Sequence, residues 1–168
     1  MRGQTNRTHN TAIRMQSKLQ SSANWFYWIA ILAAIHGCAM AFQIGDVSFI
    51  GLGVTRVIDP GVRAFLTGLG AQSLLSLSVL SLTGTLLFSG LFILCGYLGV
   101  RRNLWAYLFG ILLYLADALV CILVKDFIPL IFHAGALFAL LPGPGLIVRL
   151  KGLVERDKVG DTVPTALD

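Results

Sequence analysis

The sequence predicts an all-α integral membrane protein, a four-helix bundle in which each helix crosses the bilayer. Of its 168 residues, 56% are hydrophobic and only 12% are charged, whereas soluble domains carry roughly 25% charged residues. The apolar residues form long runs without charge, of which residues 64–100 are the longest. Too few polar side chains remain to coat a soluble domain, and the hydrophobicity is too high for a disordered chain.

The first span is predicted over residues 24–44, which carry no charge and match the roughly 20 apolar residues that cross a bilayer. The polar residues 1–23 before it are expected to form a flexible cytoplasmic tail. Residues 45–63 contain acids, bases and the turn signal Asp59-Pro60-Gly61. They are expected to form an ordered loop with a short interfacial helix.

The uncharged run 64–100 is too long for a single span. A helix of that length would measure about 55 Å, against about 30 Å of hydrocarbon. We therefore expect an interfacial or re-entrant segment over about 64–74, between spans one and two. The second span follows over 75–99, and Arg101 and Arg102 end it.

Two further spans are predicted over residues 104–124 and 127–148. Asn103 can cap the first of these helices, and Lys125-Asp126 forms the turn between them. Pro129 is tolerated in the first turn of the last span, where its missing N–H has no intrahelical partner.

The C-terminal region combines a helix breaker with a basic stretch. Pro142-Gly143-Pro144-Gly145 interrupts the fourth span, since proline cannot donate a backbone hydrogen bond. The predicted four-span domain thus covers residues 24–148. Residues 149–168 are expected to form a cytoplasmic amphipathic segment and a loose tail.

The distribution of charge predicts that both termini are cytoplasmic. With four spans, all of the 13 basic residues except Arg56, Arg63 and Lys125 lie on the cytoplasmic side, as the positive-inside rule requires. Most Trp and Tyr residues fall at the same ends of the spans, namely Trp25, Tyr27, Trp28, Tyr97, Trp105 and Tyr107. The lipid bilayer is then the expected partner, and the basic residues need no nucleic acid to explain them.

Small residues recur at every fourth position on three of the spans. Such stripes allow close approach of helix backbones, either within one chain or in a homo-oligomer or larger membrane complex. The candidate packing residues are Ala33, Gly37 and Ala41 on span one, Ser81, Thr85 and Ser89 on span two, and Gly135 and Ala139 on span four.

A second set of candidates consists of polar residues inside the spans. Asp117 is the only acidic residue within a span. His36 and His133 lie on other spans at a similar depth, about 10 to 13 Å from the outer ends at 1.5 Å per residue. Tyr114 and Cys121 are three residues before and four residues after Asp117, on the same helix face.

Several roles are open for this polar set. It can form a hydrogen-bonded group that fixes the helix packing, or relay protons or other ions. A metal site would consist of His36, Asp117, Cys121 and His133. The two histidines could alternatively ligate haem. No ligand-spacing motif occurs, so no metal or cofactor is predicted, and the absence of GxSxG and HExxH motifs argues against an enzyme.

Three short stretches resemble small four-span bacterial membrane proteins of unassigned function. They are Gly51–Asp59 (GLGVTRVID), Tyr114–Leu119 (YLADAL) and Lys125–Ala134 (KDFIPLIFHA). The resemblance implies a bacterial inner membrane and a structured loop over 48–59, and it brings no activity or catalytic residues.

The function expected from the sequence is therefore that of a non-enzymatic membrane protein, an accessory or self-associating helix-bundle subunit. One alternative is a small transporter or proton- or ion-conducting protein that uses the Asp/His cluster. The other is a metal- or haem-binding membrane protein.

Overall fold

A computed structural model describes residues 2–42, 64, 68, 74–123, 125 and 127–162. This part of the chain contains five long helices: α1 (Arg2–Ala41), α2 (Leu74–Val100), α3 (Leu104–Leu123), α4 (Phe127–Leu140) and α5 (Pro142–Thr162). The described ranges include no strand, which confirms the all-α prediction for them. The loop at 45–63 and most of the interfacial or re-entrant segment at 64–74 lie outside the described residues.

Three stretches of the described chain are long and apolar enough to cross a membrane: Leu82–Val100, Leu104–Leu123 and Phe127–Glu155. They fall on the second, third and fourth predicted spans. Their outer surfaces carry large apolar side chains, and Trp105, Leu123 and Phe138 are 81%, 80% and 80% exposed. Soluble proteins rarely expose such extensive apolar surface, so these helices fit a membrane environment.

The N-terminal region differs from the predicted flexible tail. Residues 2–23 are helical and continue without a break into residues 24–41, so that α1 contains 40 residues. At 1.5 Å per residue this helix is about 60 Å long. α1 ends at Ala41, three residues before the predicted end of the first span at residue 44.

Contacts with the C-terminal helix explain why the first half of α1 is ordered. Leu19 is fully buried, and it shares a hydrophobic cluster with Ile147 and Leu150 of α5. Gln16 accepts a hydrogen bond of 3.2 Å from the Nε of Arg102. The stretch predicted as polar tail therefore packs against the stretch predicted as amphipathic, and each helix covers the apolar side of the other.

A tight turn connects α2 to α3. Arg102 has a φ of 65°, the left-handed conformation in which helices commonly end. The backbone N–H of Arg102 donates to the Gly99 carbonyl at 2.9 Å, and that of Asn103 donates to the Leu98 carbonyl at 3.0 Å. The Asn103 side chain accepts from the Ala106 N–H at 3.3 Å, so the predicted N-cap of α3 is present.

The fourth predicted span is interrupted directly before Pro142, as the Pro142–Gly145 stretch predicts. α4 ends at Leu140 and α5 begins at Pro142, with a turn only at Leu141. In a regular helix the Leu140 carbonyl would accept from the N–H of residue 144, but Pro144 has none. The Tyr107 hydroxyl donates to this carbonyl instead, at 3.1 Å.

Ser22 completes the hydrogen bonding at this break. Its hydroxyl donates to the Ala139 carbonyl at 2.6 Å and lies 2.8 Å from the Tyr107 hydroxyl oxygen. Since the only hydroxyl proton of Ser22 serves Ala139, the Tyr107 proton is shared between Ser22 and the Leu140 carbonyl. We call these two hydroxyls and two carbonyls the hydroxyl junction. It joins α1, α3 and the end of α4.

Two glycines make room for the Tyr107 ring. A Cβ atom at Gly99 would lie 2.6 Å from Cδ2 of Tyr107, and one at Gly143 would overlap the phenol. Phe26 packs edge-on against the same ring, with centroids 5.1 Å apart. Tyr107 is consequently 0% exposed. The ring of this residue of the predicted aromatic belt therefore lies inside the bundle and not on its surface.

This packing predicts different effects for two glycines of α2. Gly99→Ala places a methyl group against Tyr107 and should lower the free energy of unfolding by about 1–3 kcal/mol, as overpacking does. Gly90→Ala meets nothing within 4 Å and should leave stability unchanged or slightly raised, since alanine favours the helix. Thermal unfolding of both variants in the same detergent measures the difference. Equal midpoints would contradict the close contact.

Candidate functional site

An aspartate–histidine pair lies in the interior between α3 and α4. The Nε2 atom of His133 is 2.7 Å from Oδ2 of Asp117, and each side chain is 3% exposed. An ionisable pair withdrawn from water in this way is costly unless its members satisfy each other. The short contact meets that requirement.

The contact of the second ring nitrogen of His133 determines how many protons the Asp117–His133 pair holds. Nδ1 lies 2.7 Å from the Pro129 carbonyl oxygen, which can only accept, so Nδ1 carries a proton. A contact of 2.7 Å between Nε2 and Oδ2 also requires one proton between them. The pair is therefore either imidazolium with carboxylate or imidazole with carboxylic acid, and both forms have zero net charge.

Helix geometry positions both members of the pair. Pro129 lies in the first turn of α4, and His133 follows it by one helical turn, so the ring points back to the proline carbonyl. On α3 the buried residues other than Ala118 recur at intervals of three or four, which places them on one face of that helix, and Ala118 lies next to Asp117 at the edge of this face. The buried residues of α3 are Tyr107, Gly110, Tyr114, Asp117, Ala118 and Cys121.

Tyr114 covers the histidine ring. The two rings are stacked, with centroids 4.6 Å apart and planes inclined by 11°. When the shared proton is on His133, the imidazolium therefore lies over an aromatic face, which stabilises a cation. Among the described residues, the hydroxyls of Tyr114 and of Ser89 on α2 are buried without a hydrogen-bond partner. Buried hydroxyls of this kind are rare and costly, which makes the Tyr114 hydroxyl a candidate functional group.

A row of aromatic rings connects the hydroxyl junction to the pair. Starting at Tyr107, successive centroid distances are 5.1 Å to Phe26, 6.4 Å on to Phe92, 6.0 Å to Tyr114 and 4.6 Å to His133. Helices α1, α2, α3 and α4 each contribute at least one ring. Ring pairs at these separations add stability beyond their buried area, so this ring row is part of the bundle core.

Two other candidates from the polar set, Cys121 and His36, are also buried. Cys121 lies on the same face of α3, one turn beyond Asp117, and is 2% exposed. His36 is buried on α1, where the adjacent Gly37 packs against Thr85 of α2. Within the part of the chain that the structure describes, no three His, Cys, Asp or Glu side chains come together as a metal site.

The small-residue stripes divide into inward and outward members. Ala33, Thr85 and Ser89 are buried, and a Cβ atom at Gly37 would lie 2.6 Å from Cγ2 of Thr85. Ala139 is half-buried beside the hydroxyl junction. Gly135 is exposed, and a Cβ atom there would meet nothing within 4 Å. The side chains of Ala41 and Ser81 lie outside the described set.

Sequence reasoning missed the hydroxyl junction. Ser22 fell within the polar region predicted as a tail, and Tyr107 fell within the predicted aromatic belt. The one local signal was the pair of prolines at 142 and 144, each of which leaves a carbonyl without its helical donor.

No protein-family model, curated protein or solved structure matches the chain.

The proton count predicts that two substitutions of Asp117 differ. In Asp117→Asn the side-chain amide can donate to Nε2 of neutral His133, so the interhelical hydrogen bond and the fold should persist. Asp117→Ala leaves Nε2 buried without a partner and should lower the free energy of unfolding by about 1–3 kcal/mol. Thermal unfolding in detergent compares the two variants with the parent chain. The assignment is wrong if Asn is as destabilising as Ala.

Proposed function

We propose that the chain is a four-span integral membrane protein of the bacterial inner membrane, a non-enzymatic accessory or self-associating helix-bundle subunit. The observation that carries this proposal is that the buried polar groups form hydrogen bonds between helices. The hydroxyl junction and the Asp117–His133 pair both link helices of the same chain. Meanwhile the outer faces of α2, α3 and α4 are apolar, as surfaces that meet lipid or another membrane helix must be.

The second half of α1 is the proposed first span. It runs antiparallel to α2, because Gly37 packs against Thr85 while Gly96 packs against Phe26. The whole helix, about 60 Å long, is twice as long as the hydrocarbon is thick, which is about 30 Å. The first half of α1 and the second half of α5 therefore extend together into the cytoplasm in this arrangement. Their basic residues support an orientation with both termini inside.

Self-association is supported by the outer face of α4. Gly135 is exposed, and the space next to its Cα is open, so a second helix can approach the backbone closely there. The helix is otherwise covered by large apolar side chains, among them Ile131 and Phe138. A glycine among bulky neighbours forms a notch that suits another helix better than it suits a lipid chain.

The proposal predicts that Gly135→Leu weakens self-association about tenfold without lowering the unfolding temperature, because the added side chain fills space outside the monomer. Gly90→Leu is the matched control, since Gly90 on α2 also has nothing within 4 Å. Energy transfer between differently labelled copies in the same vesicles measures association. A parent chain that is monomeric, with no co-purifying membrane protein, would count against a subunit role.

A second function, proton or ion transfer, is favoured by one specific observation. The Asp117–His133 pair holds a single proton that can reside on either partner, and the unpartnered Tyr114 hydroxyl belongs to the ring that covers it. Ionisable residues inside membranes commonly mark ion pathways. In this role Asp117 and His133 bind the proton, and the Tyr114 hydroxyl passes it on through a water molecule that enters beside the ring, since the hydroxyl itself contacts no hydrogen-bond partner among the described residues.

The transfer role predicts that Asp117→Asn and Tyr114→Phe each reduce proton flux at least tenfold, while both variants keep the fold. Tyr97→Phe is the control, because it removes a phenol hydroxyl from an exposed position on α2. Vesicles that contain a pH-sensitive dye and carry a potassium diffusion potential measure the flux. If the parent chain conducts no faster than protein-free vesicles, this second function is excluded and the first is unaffected.

A further inference from the structure

A groove runs along α1 where it faces α4 and the start of α5. Two adjoining cavities of about 380 and 450 Å³ form it, and both are lined by Ser21 and Trp25. Because α1 is antiparallel to α4 and α5, Phe132 lies towards one end of the groove and Leu146 towards the other. We call this feature the α1 groove.

The chemistry of the lining changes in order along the α1 groove. Lys18 lies at one end, beside the apolar side chains of Pro142 and Leu146. Ser21 and Asn24 lie in the middle, and the far end is lined by Leu32 and Phe132. The groove thus has a cation at one end, hydroxyl and amide groups in the middle, and apolar side chains along its whole length. From Lys18 to Leu32 the helix rises about 21 Å, which matches one leaflet of hydrocarbon, about 15 Å, plus a headgroup.

We propose that the α1 groove binds one anionic phospholipid from the cytoplasmic leaflet. Its phosphate pairs with the Lys18 ammonium, its glycerol esters accept hydrogen bonds from Ser21 and Asn24, and one acyl chain lies along Leu32 and Phe132. The order of groups in the lipid matches the order of side chains in the groove. This inference rests on the proposed membrane insertion.

Charge complementarity favours an anionic lipid over a second copy of this chain as the occupant of the α1 groove. Lys18 is exposed, and Arg149, one helical turn beyond Leu146, adds a second exposed cation at the same end of the bundle. The cytoplasmic leaflet carries anionic lipids that attract such groups. A second copy of this chain, with its formal net charge of +5 and its basic ends, would bring like charges together at Lys18.

The tryptophans provide a direct test. The chain has 3 Trp residues, and Trp105→Phe leaves Trp25 and Trp28, which both line the groove. The full chain with this change is reconstituted into vesicles of equal parts phosphatidylglycerol and phosphatidylcholine. Bromine atoms are placed on the acyl chains of only one lipid at a time, since bromine quenches nearby tryptophan fluorescence. We expect brominated phosphatidylglycerol to quench at least twice as strongly as brominated phosphatidylcholine.

Two variants that each remove one positive charge then test whether the lipid binds at Lys18. Lys18→Gln should reduce the relative affinity for phosphatidylglycerol about fivefold, as expected for one lysine at an anionic membrane surface. Lys151→Gln removes an equal charge from a site beside Arg102, away from the groove, and should preserve the preference. Equal quenching by the two lipids in the parent chain overturns the proposal, and so does an equal effect of the two variants, which would indicate diffuse surface charge.

The same samples separate this inference from the proposed membrane insertion. A chain that does not float with the vesicles on a density gradient contradicts insertion, and the groove proposal fails with it. A chain that floats, but whose tryptophans neither lipid quenches, overturns only the groove proposal. In that case, a second chain is identified as the occupant by energy transfer between labelled copies that Lys18→Gln changes and Gly135→Leu does not.

Discussion

The break between α4 and α5 sets the constraint on which the rest of the bundle depends. A buried backbone carbonyl that a proline leaves without its helical partner must be satisfied by another donor within the protein. The Tyr107 hydroxyl meets this need for Leu140, and Ser22 adds a donor for Ala139. The position of the phenol in turn requires glycine at 99 and 143. The hydrogen bond that the α4 carbonyl requires thereby limits residue 99 of α2 and residue 143 of α5 to glycine.

The interior combines two polar links with an aromatic core. The hydroxyl junction ties α1, α3 and α4 together at one level, and the Asp117–His133 pair ties α3 to α4 at another. The ring row joins the two levels through Phe26, Phe92 and Tyr114. In a membrane, where association between helices has no hydrophobic driving force, close packing and polar links of this kind would hold the bundle together. The same arrangement leaves the outer surface free for lipid or a second helix.

The sequence was most informative where the decisive interactions are local. Hydropathy and the Arg101-Arg102 stop placed the spans at 75–99 and 104–124 within a residue of α2 and α3. It was least informative where partners are distant: Leu19 is ordered by Ile147 and Leu150 of α5, and no local pattern records that contact. Depth along a helix placed Asp117 and His133 at one level. The angular position of a side chain depends on the packing of whole helices, which is why depth alone could not assign a partner to His36.

The order of residues along the chain has a consequence for biogenesis. Ser22 and Tyr107 both precede the Pro142–Gly145 break in the sequence, and domains emerge from the ribosome starting at the N-terminus. Both donor hydroxyls have therefore been synthesised before the carbonyls that need them. When the end of α4 is synthesised, Ser22 and Tyr107 are thus already available to donate hydrogen bonds to the Ala139 and Leu140 carbonyls.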